Sequence, residues 1–264
     1  IAYEELEFQE LVGEGSFGIV RRAVWRGMQV AVKELKVGPG ATQEGMYAEL
    51  AHEAKVMGRV CNHDNVVQFV GVVLPPHAAV VTKFMQAGSV EDVLVSRGPR
   101  NLRSSIPMHT LFRMTSDAAA GVLHLHSEGV IHRDLAARNL LVDEFFRVRV
   151  ADFGFSRVKE ANHSKGYTHS TTGPIKWLSP ESLRFRTWSA KTDVFSFGVM
   201  MFEIFTGQAP WRGAEAMDVV VRVCNGERME LPAGVDPVLA DLMRQCWLQD
   251  PAERPSMVDI YSTL

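Results

Sequence analysis

The hydrophobic pattern changes about one third of the way along the chain, and this change constrains the fold more than any other feature. Five short β-favourable runs, separated by glycine or polar residues, lie at residues 6–13, 18–25, 29–34, 66–74 and 79–84. Such runs predict strands. After residue 85, apolar residues recur mainly at three- and four-residue spacing, which predicts helices. The sequence therefore predicts a small strand-rich part followed by a larger helical part.

Two segments predict helices with a defined place in the fold. Helical spacing in residues 46–60 puts Glu53 and Met57 on one face. Residues 194–205 are strongly apolar, but the run is too short to cross a bilayer and Glu203 interrupts it. A short helix that is apolar on all sides is expected to be buried in protein.

The composition restricts the partners and the compartment. The 264 residues carry a formal net charge of −3, which gives no general attraction to nucleic acid or to an anionic membrane. We therefore expect neither as a partner of this domain. The cysteines Cys61, Cys224 and Cys246 are an odd number without metal-type spacing. They indicate reduced thiols and an intracellular location, in the cytoplasm or in the cytoplasmic part of a membrane receptor.

A glycine-rich segment lies between the first two predicted strands: Gly13-Glu14-Gly15-Ser16-Phe17-Gly18-Ile19-Val20. Because glycine has no side chain, backbone amides in such a segment can approach phosphate oxygens closely. A Rossmann loop would need a helix after it, whereas residues 20–25 predict a strand. A Walker A loop would need a Gly-Lys-Ser/Thr sequence, which does not follow. An ordinary glycine turn is the alternative for this segment taken alone.

Lys33 ends an apolar strand-like run shortly after the glycine segment. An ammonium group in this position can pair with phosphates, and it needs a carboxylate to hold it. Glu53 is the preferred partner because it shares the face of Met57, and Glu49, one helical turn earlier, is the rival. The alternative for either glutamate is a solvated charge on a helix.

The strongest single pattern is the run His132-Arg133-Asp134-Leu135-Ala136-Ala137-Arg138-Asn139. Asp134 can accept the proton of an incoming hydroxyl group, and Asn139 can bind Mg²⁺ through its amide oxygen. The run Asp152-Phe153-Gly154 begins thirteen residues after Asn139. Its carboxylate is the hard oxygen ligand that Mg²⁺ prefers.

Taken in this order, these motifs resemble those of the protein kinase superfamily, and the resemblance covers nearly all of the chain. Ser179-Pro180-Glu181 resembles the end of the activation segment in that family. Asp193 resembles the acid that holds the catalytic loop, and Arg254 resembles the arginine that pairs with Glu181. The resemblance also implies an internal apolar stack, formed by Met57, Phe69, His132 and Phe153.

The resemblance implies an α+β, bilobal kinase fold in one domain of residues 1–264. A small, antiparallel β-rich N-lobe with one key helix is expected at residues 1–82. A hinge is expected at residues 83–88, and a larger, mostly α-helical C-lobe at residues 89–264. ATP and Mg²⁺, with Mn²⁺ as an alternative ion, are expected in the cleft between the lobes.

The resemblance also assigns roles to individual positions. The implied catalytic residues are Asp134, Lys33, Glu53, Arg138, Asn139 and Asp152, of which Asn139 and Asp152 bind the metal ion. The implied ATP-binding residues are Val12, Gly13, Glu14, Gly15, Ser16, Phe17, Gly18, Val20, Ala31, Lys33, Thr82, Lys83, Met85 and Leu141. Adenine is expected to receive backbone hydrogen bonds from residues 83–85.

Three segments resemble tyrosine kinases. Ala136 stands two residues after the catalytic aspartate, where serine/threonine kinases typically have lysine. Pro174-Ile175-Lys176-Trp177 resembles the substrate platform of tyrosine kinases, in which an apolar proline can pack against the phenol ring. Cys246-Trp247 is a further tyrosine-kinase-like pair, although these residues can also serve local packing alone. We therefore expect tyrosine-bearing proteins as substrates.

Two alternatives stay open. Tyr3-Glu4-Glu5-Leu6 and Trp25-Arg26-Gly27 slightly resemble the tyrosine-kinase-like group of serine/threonine kinases, which favours a serine/threonine or dual-specificity enzyme. The second alternative is a pseudokinase that binds partners without catalysis. The intact catalytic residues argue against the pseudokinase.

Tyr167 is the one tyrosine between Gly154 and Pro174. Phosphorylation would add a charge of about −1.5 to −2 near neutral pH, and Arg133 is the expected partner. We expect autophosphorylation of Tyr167 to order this segment and so to regulate the domain in signalling. Transient self-association is expected to allow transfer between two copies. An exposed tyrosine without a role is the alternative.

Overall fold

The computed structural model describes residues 1–15, 18–35, 43–94, 106–152, 157–158 and 175–264. The first part of the chain forms a five-stranded antiparallel sheet with the strand order β1-β2-β3-β5-β4. Its strands are β1 (Leu6–Gly15), β2 (Gly18–Trp25), β3 (Met28–Leu35), β4 (Phe69–Val73) and β5 (Ala79–Lys83). All five predicted strands are present. The largest difference in bounds is at β4, which starts three residues later than the run at 66–74.

The register of the sheet separates its two faces. Val20 lies opposite Lys33, and Thr82 lies opposite Ala31. Directly opposite residues, and residues two apart on a strand, share a face, so these four side chains lie on one face. The other face buries a small apolar cluster that includes Ala23, Val30, Val32 and Val81.

One long helix, α1 (Gln43–Val60), follows β3. Glu53 is 7% exposed and Met57 is 3% exposed, so the predicted face of this helix is buried. The rest of its inward surface joins the main core, which continues into the helical part of the chain.

The second part of the chain is mostly helical. Its helices are α2 (Val90–Leu94), α3 (Met108–Ser127), α4 (Pro180–Phe185), α5 (Ala190–Thr206), α6 (Ala216–Cys224), α7 (Pro237–Cys246) and α8 (Met257–Thr263). Its short strands are β6 (Val130–Ile131), β7 (Leu140–Val142), β8 (Val148–Val150) and β9 (Arg157–Val158), which pair as β6–β9 and β7–β8. A short 3₁₀ helix, Ile175–Trp177, precedes α4.

Helix α5 lies at the centre of the helical part. Every residue from 192 to 206 is buried, as the apolar run at 194–205 predicts. Ser189 caps the N-terminus of the helix, and Gly207 ends it with a positive φ of 60°. No helix in the described ranges is long and apolar enough to span a membrane.

Helix α5 packs very closely against the end of α7. A Cβ atom at Gly198 would lie only 2.6 Å from Cys246 Cβ and 2.7 Å from Trp247 Nε1. Only glycine allows this approach, because any side chain would collide with both residues. Cys246 and Trp247 therefore have a packing role, which is the alternative that the sequence left open for this pair.

An ion pair stabilises the helical part, and backbone hydrogen bonds connect it to the first part of the chain. The guanidinium of Arg254, whose side chain is fully buried, donates to both carboxylate oxygens of Glu181, at 2.7 and 2.9 Å. This confirms the predicted pairing. Between the two parts, Ala87 N–H donates to Val142 O at 3.1 Å and Val142 N–H donates to Gly88 O at 2.8 Å. The connector therefore runs along β7, while the exact lobe boundaries at 82/83 and 88/89 stay predictions.

Candidate active site

Lys33 on β3 lies between two acidic side chains. Its Nζ atom is 2.8 Å from Asp152 Oδ1 and 3.3 Å from Glu53 Oε1. The predicted contact between Lys33 and Glu53 is therefore present, and the side chain of the rival Glu49 lies outside the described part of the chain. Because Asp152 follows β8 and Glu53 lies on α1, this cluster joins the sheet to the helical part.

The two carboxylates keep Lys33 charged. Burial alone would lower the pKa of the Lys33 ammonium, but the negative charges of Asp152 and Glu53 outweigh burial and raise it. A lysine with a raised pKa is a permanent cation at physiological pH. This is the property that a phosphate-binding group requires.

Asp134 is 4% exposed, and its carboxylate is held from two directions. Asn139 Nδ2 donates to Asp134 Oδ2 at 2.9 Å and to the Asp134 carbonyl oxygen at 2.6 Å. Arg138 donates from Nη2 to Asp134 Oδ1. The short 3₁₀ helix Ala137–Asn139 keeps the three residues in one tight loop. The direction of the carboxylate is therefore fixed within the loop itself.

The surroundings of Asp134 suit a proton acceptor. Burial raises the pKa of the Asp134 carboxyl, and the charge of Arg138 and the hydrogen bond from Asn139 offset this only in part. A carboxylate with a raised pKa accepts a proton more readily, which is what a general base needs.

Asp193, in the first turn of α5, holds the chain just before Asp134. Its Oδ2 atom accepts the backbone N–H of His132 at 2.8 Å, and its Oδ1 atom accepts the backbone N–H of Arg133 at 2.9 Å. Arg133 has a φ of 71°, a conformation that costs free energy for a residue with a side chain. Hydrogen bonds to an ionised carboxylate are strong enough to stabilise it.

A backbone hydrogen bond brings Asn139 and Asp152, the predicted metal ligands, close together. The Ala151 N–H donates to the Asn139 carbonyl oxygen at 3.0 Å, and Asp152 follows with a φ of 60°. Because Asn139 Nδ2 is directed at Asp134, the amide oxygen Oδ1 points away from that carboxylate. The amide oxygen of Asn139 and the carboxylate of Asp152 are hard oxygen ligands, and this pair fits Mg²⁺.

The predicted nucleotide-binding residues fall on three parts of the structure. Val12, Gly13, Glu14, Gly15 and Gly18 lie in the β1–β2 hairpin, where Gly15 pairs with Gly18. The shared sheet face carries Val20, Ala31, Lys33 and Thr82. Leu141 on β7 is half-buried and forms an isolated β-bridge with Ser89 of the connector. The hairpin and this face meet at Val20, which lies opposite Gly13 and opposite Lys33.

Two backbone N–H groups of the connector already donate hydrogen bonds within the protein. The Lys83 N–H donates to Gln68 O at 2.9 Å, and the Phe84 N–H donates to Gln29 O at 3.1 Å. Both N–H groups are therefore used, but the carbonyl oxygens of these residues can still accept, and the expected backbone contacts of residues 83–85 with adenine stay a prediction. Met85, which is 4% exposed, supplies the remaining N–H of the three.

Trp177, in the predicted substrate platform, is fixed by α5 and by the catalytic loop. Its Nε1–H donates to Glu203 Oε2 at 2.8 Å, and Ser196 Oγ donates to the Trp177 carbonyl oxygen at 2.8 Å. The guanidinium carbon of Arg138 lies 4.5 Å from the centroid of the Trp177 ring, within the range of a cation–π contact. Lys176 Nζ donates to the Trp211 carbonyl oxygen at 3.2 Å.

Several predicted residues lie outside the described part of the chain. They are Ser16, Phe17, Phe153, Tyr167 and Pro174. Arg133, the expected partner of phosphorylated Tyr167, has its guanidinium carbon 5.2 Å from the centroid of the Trp188 ring. Of the expected apolar stack, Met57 and His132 are buried and Phe69 is half-buried against the main core.

The sequence reasoning missed two residues. Glu203 was noted only as a charge within an apolar run, but its Oε2 atom accepts both the Trp177 indole N–H and the Ala137 N–H, the latter at 3.0 Å. His126 Nε2 lies 2.9 Å from Asp193 Oδ2. The available signal for Glu203 was a single acid within the apolar run at 194–205, because such an acid must find partners when it is buried.

The comparison with known families agrees with this geometry. The family model for protein tyrosine and serine/threonine kinases matches residues 6–264. The chain belongs to this kinase family. The sheet with its one long helix and the α5-centred helical part are thus the two lobes of a protein kinase fold.

Curated kinases similar to this chain include both acceptor classes. A probable serine/threonine-protein kinase SIS8 of Arabidopsis thaliana is 38% identical over the whole chain, and the serine/threonine-protein kinase STY46 of the same plant is 35% identical. The tyrosine-protein kinase Abl of Drosophila melanogaster is 37% identical over the whole chain. The chain spans 25%, 44% and 16% of these three proteins, respectively.

Proposed function

We propose that this kinase domain transfers the γ-phosphoryl group of ATP to tyrosine side chains of proteins, with Mg²⁺ as the metal ion. The observation that carries the proposal is the position of Arg138. One guanidinium contacts both the carboxylate of Asp134 and the ring of Trp177. The candidate base and the candidate acceptor platform are therefore linked by a single side chain.

The neighbouring position supports the same acceptor. Position 136 is a fully buried alanine, which carries no charge, whereas a lysine there would place a cation next to the base. The cation comes instead from Arg138, which lies towards the platform. A phenol reaches further than a serine hydroxyl, and an acceptor surface built around an aromatic ring suits an aromatic side chain.

The residues of the site would divide the work of phosphoryl transfer. Lys33, held by Glu53, binds phosphate oxygens, and Asn139 and Asp152 hold the metal ion. Mg²⁺ bound with ATP supplies charge neutralisation at the phosphates. Asp134 orients the acceptor hydroxyl and takes its proton. Positioning and electrostatics account for most of the catalysis in such a site.

A serine/threonine kinase is the second candidate. The names of the relatives SIS8 and STY46 favour it, because both are serine/threonine-protein kinases. Regulation by phosphorylation of Tyr167, self-association, an intracellular location and a role in signalling all belong to the proposal as predictions.

The test is transfer of labelled phosphate from ATP with Mg²⁺ to a mixed Glu-Tyr polymer and, separately, to a protein that carries only serine and threonine. We expect label on the tyrosine polymer. Asp134→Asn should reduce the rate by on the order of 10²–10⁴-fold, the range for loss of a general base. Asp241→Asn is the matched control, because Asp241 is exposed on α7.

Each other outcome has a defined meaning. Label on serine or threonine alone would overturn the tyrosine proposal in favour of the second candidate. Nucleotide binding without transfer to either acceptor would indicate a pseudokinase or an enzyme that awaits activation. A rate for Asp134→Asn equal to that of Asp241→Asn would remove Asp134 from the role of base.

A further inference from the structure

We infer that Glu203 is a positioning residue that holds the acceptor platform and the catalytic loop in one fixed relation, and thereby sets the binding of the protein substrate. This inference rests on the proposed function, because the platform is the place where that function binds its acceptor. Glu203 itself would touch neither substrate nor nucleotide.

The first support is that two distant segments share one oxygen atom. Oε2 of Glu203 accepts the backbone N–H of Ala137 at 3.0 Å and the indole N–H of Trp177 at 2.8 Å. Ala137 belongs to the catalytic loop and Trp177 to the platform. A displacement of either segment would therefore lengthen a hydrogen bond to the same carboxylate.

The second support is that the contacts form a closed circuit. Ala137 is followed by Arg138, whose guanidinium lies over the Trp177 ring. The Trp177 indole donates to Glu203, and Glu203 also accepts from Ala137, which closes the circuit. Arg138 also contacts Asp134. The candidate base is thus connected to the platform by two routes, one through a cation–π contact and one through Glu203.

The third support is burial. Glu203 is 6% exposed, so water cannot easily replace an acceptor that is lost, and the two N–H groups would be left unpaired. The charged groups that act on Glu203 are Arg138 in the catalytic loop and Glu91 on α2. Burial raises the pKa of Glu203 to about 7, and the hydrogen bonds from Trp177 and Ala137 offset this only in part.

The experiment begins with Trp177→Phe, which removes the N–H donor and keeps an aromatic ring beneath Arg138. We expect the KM for the Glu-Tyr polymer to rise about 10-fold, the ratio that corresponds to one hydrogen bond, while the KM for ATP stays within about twofold. Trp25→Phe is the matched control, because the Trp25 indole also donates to a glutamate, Glu5 Oε2 at 2.8 Å, on the surface of the sheet. It should behave like the wild type.

Two changes at Glu203 complete the series. Glu203→Leu removes the shared acceptor and should raise the KM for the polymer more than Trp177→Phe does. Glu203→Gln keeps a carbonyl oxygen that can accept both N–H groups, so it should restore most of the affinity. This order separates positioning from simple loss of stability, because stability would act on both substrates alike.

A binding measurement separates this inference from the proposed function. A labelled Glu-Phe polymer cannot be phosphorylated, and its dissociation constant follows from fluorescence anisotropy. Weaker binding by Trp177→Phe and Glu203→Leu, with unchanged binding by Trp25→Phe, supports the inference. Equal binding by all variants, in an enzyme whose wild type phosphorylates tyrosine, overturns the inference and leaves the proposed function standing. A wild type that neither binds the polymer nor transfers phosphate overturns both.

Discussion

The two ends of helix α5 each bring one buried carboxylate to the catalytic loop, and the two carboxylates are held in different ways. At the N-terminal end, Asp193 is 1% exposed and is contacted by the His132 N–H, the Arg133 N–H and His126 Nε2. At the C-terminal end, Glu203 is 6% exposed and accepts two N–H groups, both on one oxygen.

The charge states of the two groups differ accordingly. Burial alone would raise the pKa of Asp193, but its hydrogen bonds and the nearby imidazoles outweigh burial and lower the pKa. For Glu203 burial dominates, and the pKa rises to about 7. The helix dipole acts in the same sense, because it favours an anion in the first turn and disfavours one in the last turn. The number of donors and the end of the helix together decide whether a buried acid stays ionised.

The largest expected effect in this comparison is that of Asp193→Asn. An asparagine has one oxygen and one NH₂ group, so it cannot accept from all of the donors around Asp193. Each donor left without an acceptor costs roughly 1–3 kcal/mol, and a displaced loop reduces kcat by on the order of 10²-fold. Chemical denaturation and steady-state kinetics measure the two effects. Asp241→Asn serves as the control, and equal stability of both variants would contradict the role given to Asp193.

The second prediction uses pH at the other end of the helix. A pKa raised from 4.5 to about 7 means that the wild type is more stable while Glu203 is protonated, and that this stability is lost as pH rises towards and through 7. Glu203→Gln cannot ionise. The free energy of unfolding of the variant relative to wild type should therefore increase by about 3 kcal/mol between pH 4.5 and pH 8.5.

The control is Asp193→Asn, for which the relative stability should change with pH in the opposite direction. Asp193 has a lowered pKa, so its contribution is present above its unfolded pKa and is lost as pH falls through the folded value. The relative stability of Asp193→Asn should thus change with pH in the opposite direction, at the acid end of the range. If both variants followed the same pH dependence, the two ends of α5 would not differ as described.

The smallest expected effect is that of His126→Phe. It removes the side-chain donor to Asp193 and keeps the two backbone donors, so the loss should be about 1 kcal/mol in unfolding free energy with kcat nearly unchanged. His109→Phe, at an exposed position of the same helix α3, should change neither quantity. A loss as large as that of Asp193→Asn would mean that the imidazole, rather than the backbone, holds the carboxylate.

Much of the fold was readable from the sequence because it follows from local periodicity. The strands of the sheet, the buried face of α1 and the central position of α5 are of this kind. The pairing of Lys33 with Glu53 also followed from helical spacing, whereas the family resemblance gave the pairing of Arg254 with Glu181. The family resemblance thus supplied what periodicity alone could not.

The role of Glu203 could not be predicted in the same way. Its two donors, Ala137 and Trp177, are 66 and 26 residues away in the chain, and no local pattern links such positions. The pairing of β9 with β6 could not be predicted either, because two-residue strands have no periodicity of their own. Likewise, the positive φ of Asp152 reflects its tertiary surroundings.

Arg138 carries a consequence for how this enzyme can change over time. Burial raises the pKa of the Asp134 carboxyl, and the positive charge of Arg138 opposes this rise. The same guanidinium lies over the ring on which the proposed acceptor site is built. A substitution of Arg138 that alters the platform would therefore also alter the basicity of Asp134, the proposed proton acceptor. Under the proposed function, a change of acceptor made at Arg138 would therefore also change the rate of phosphoryl transfer.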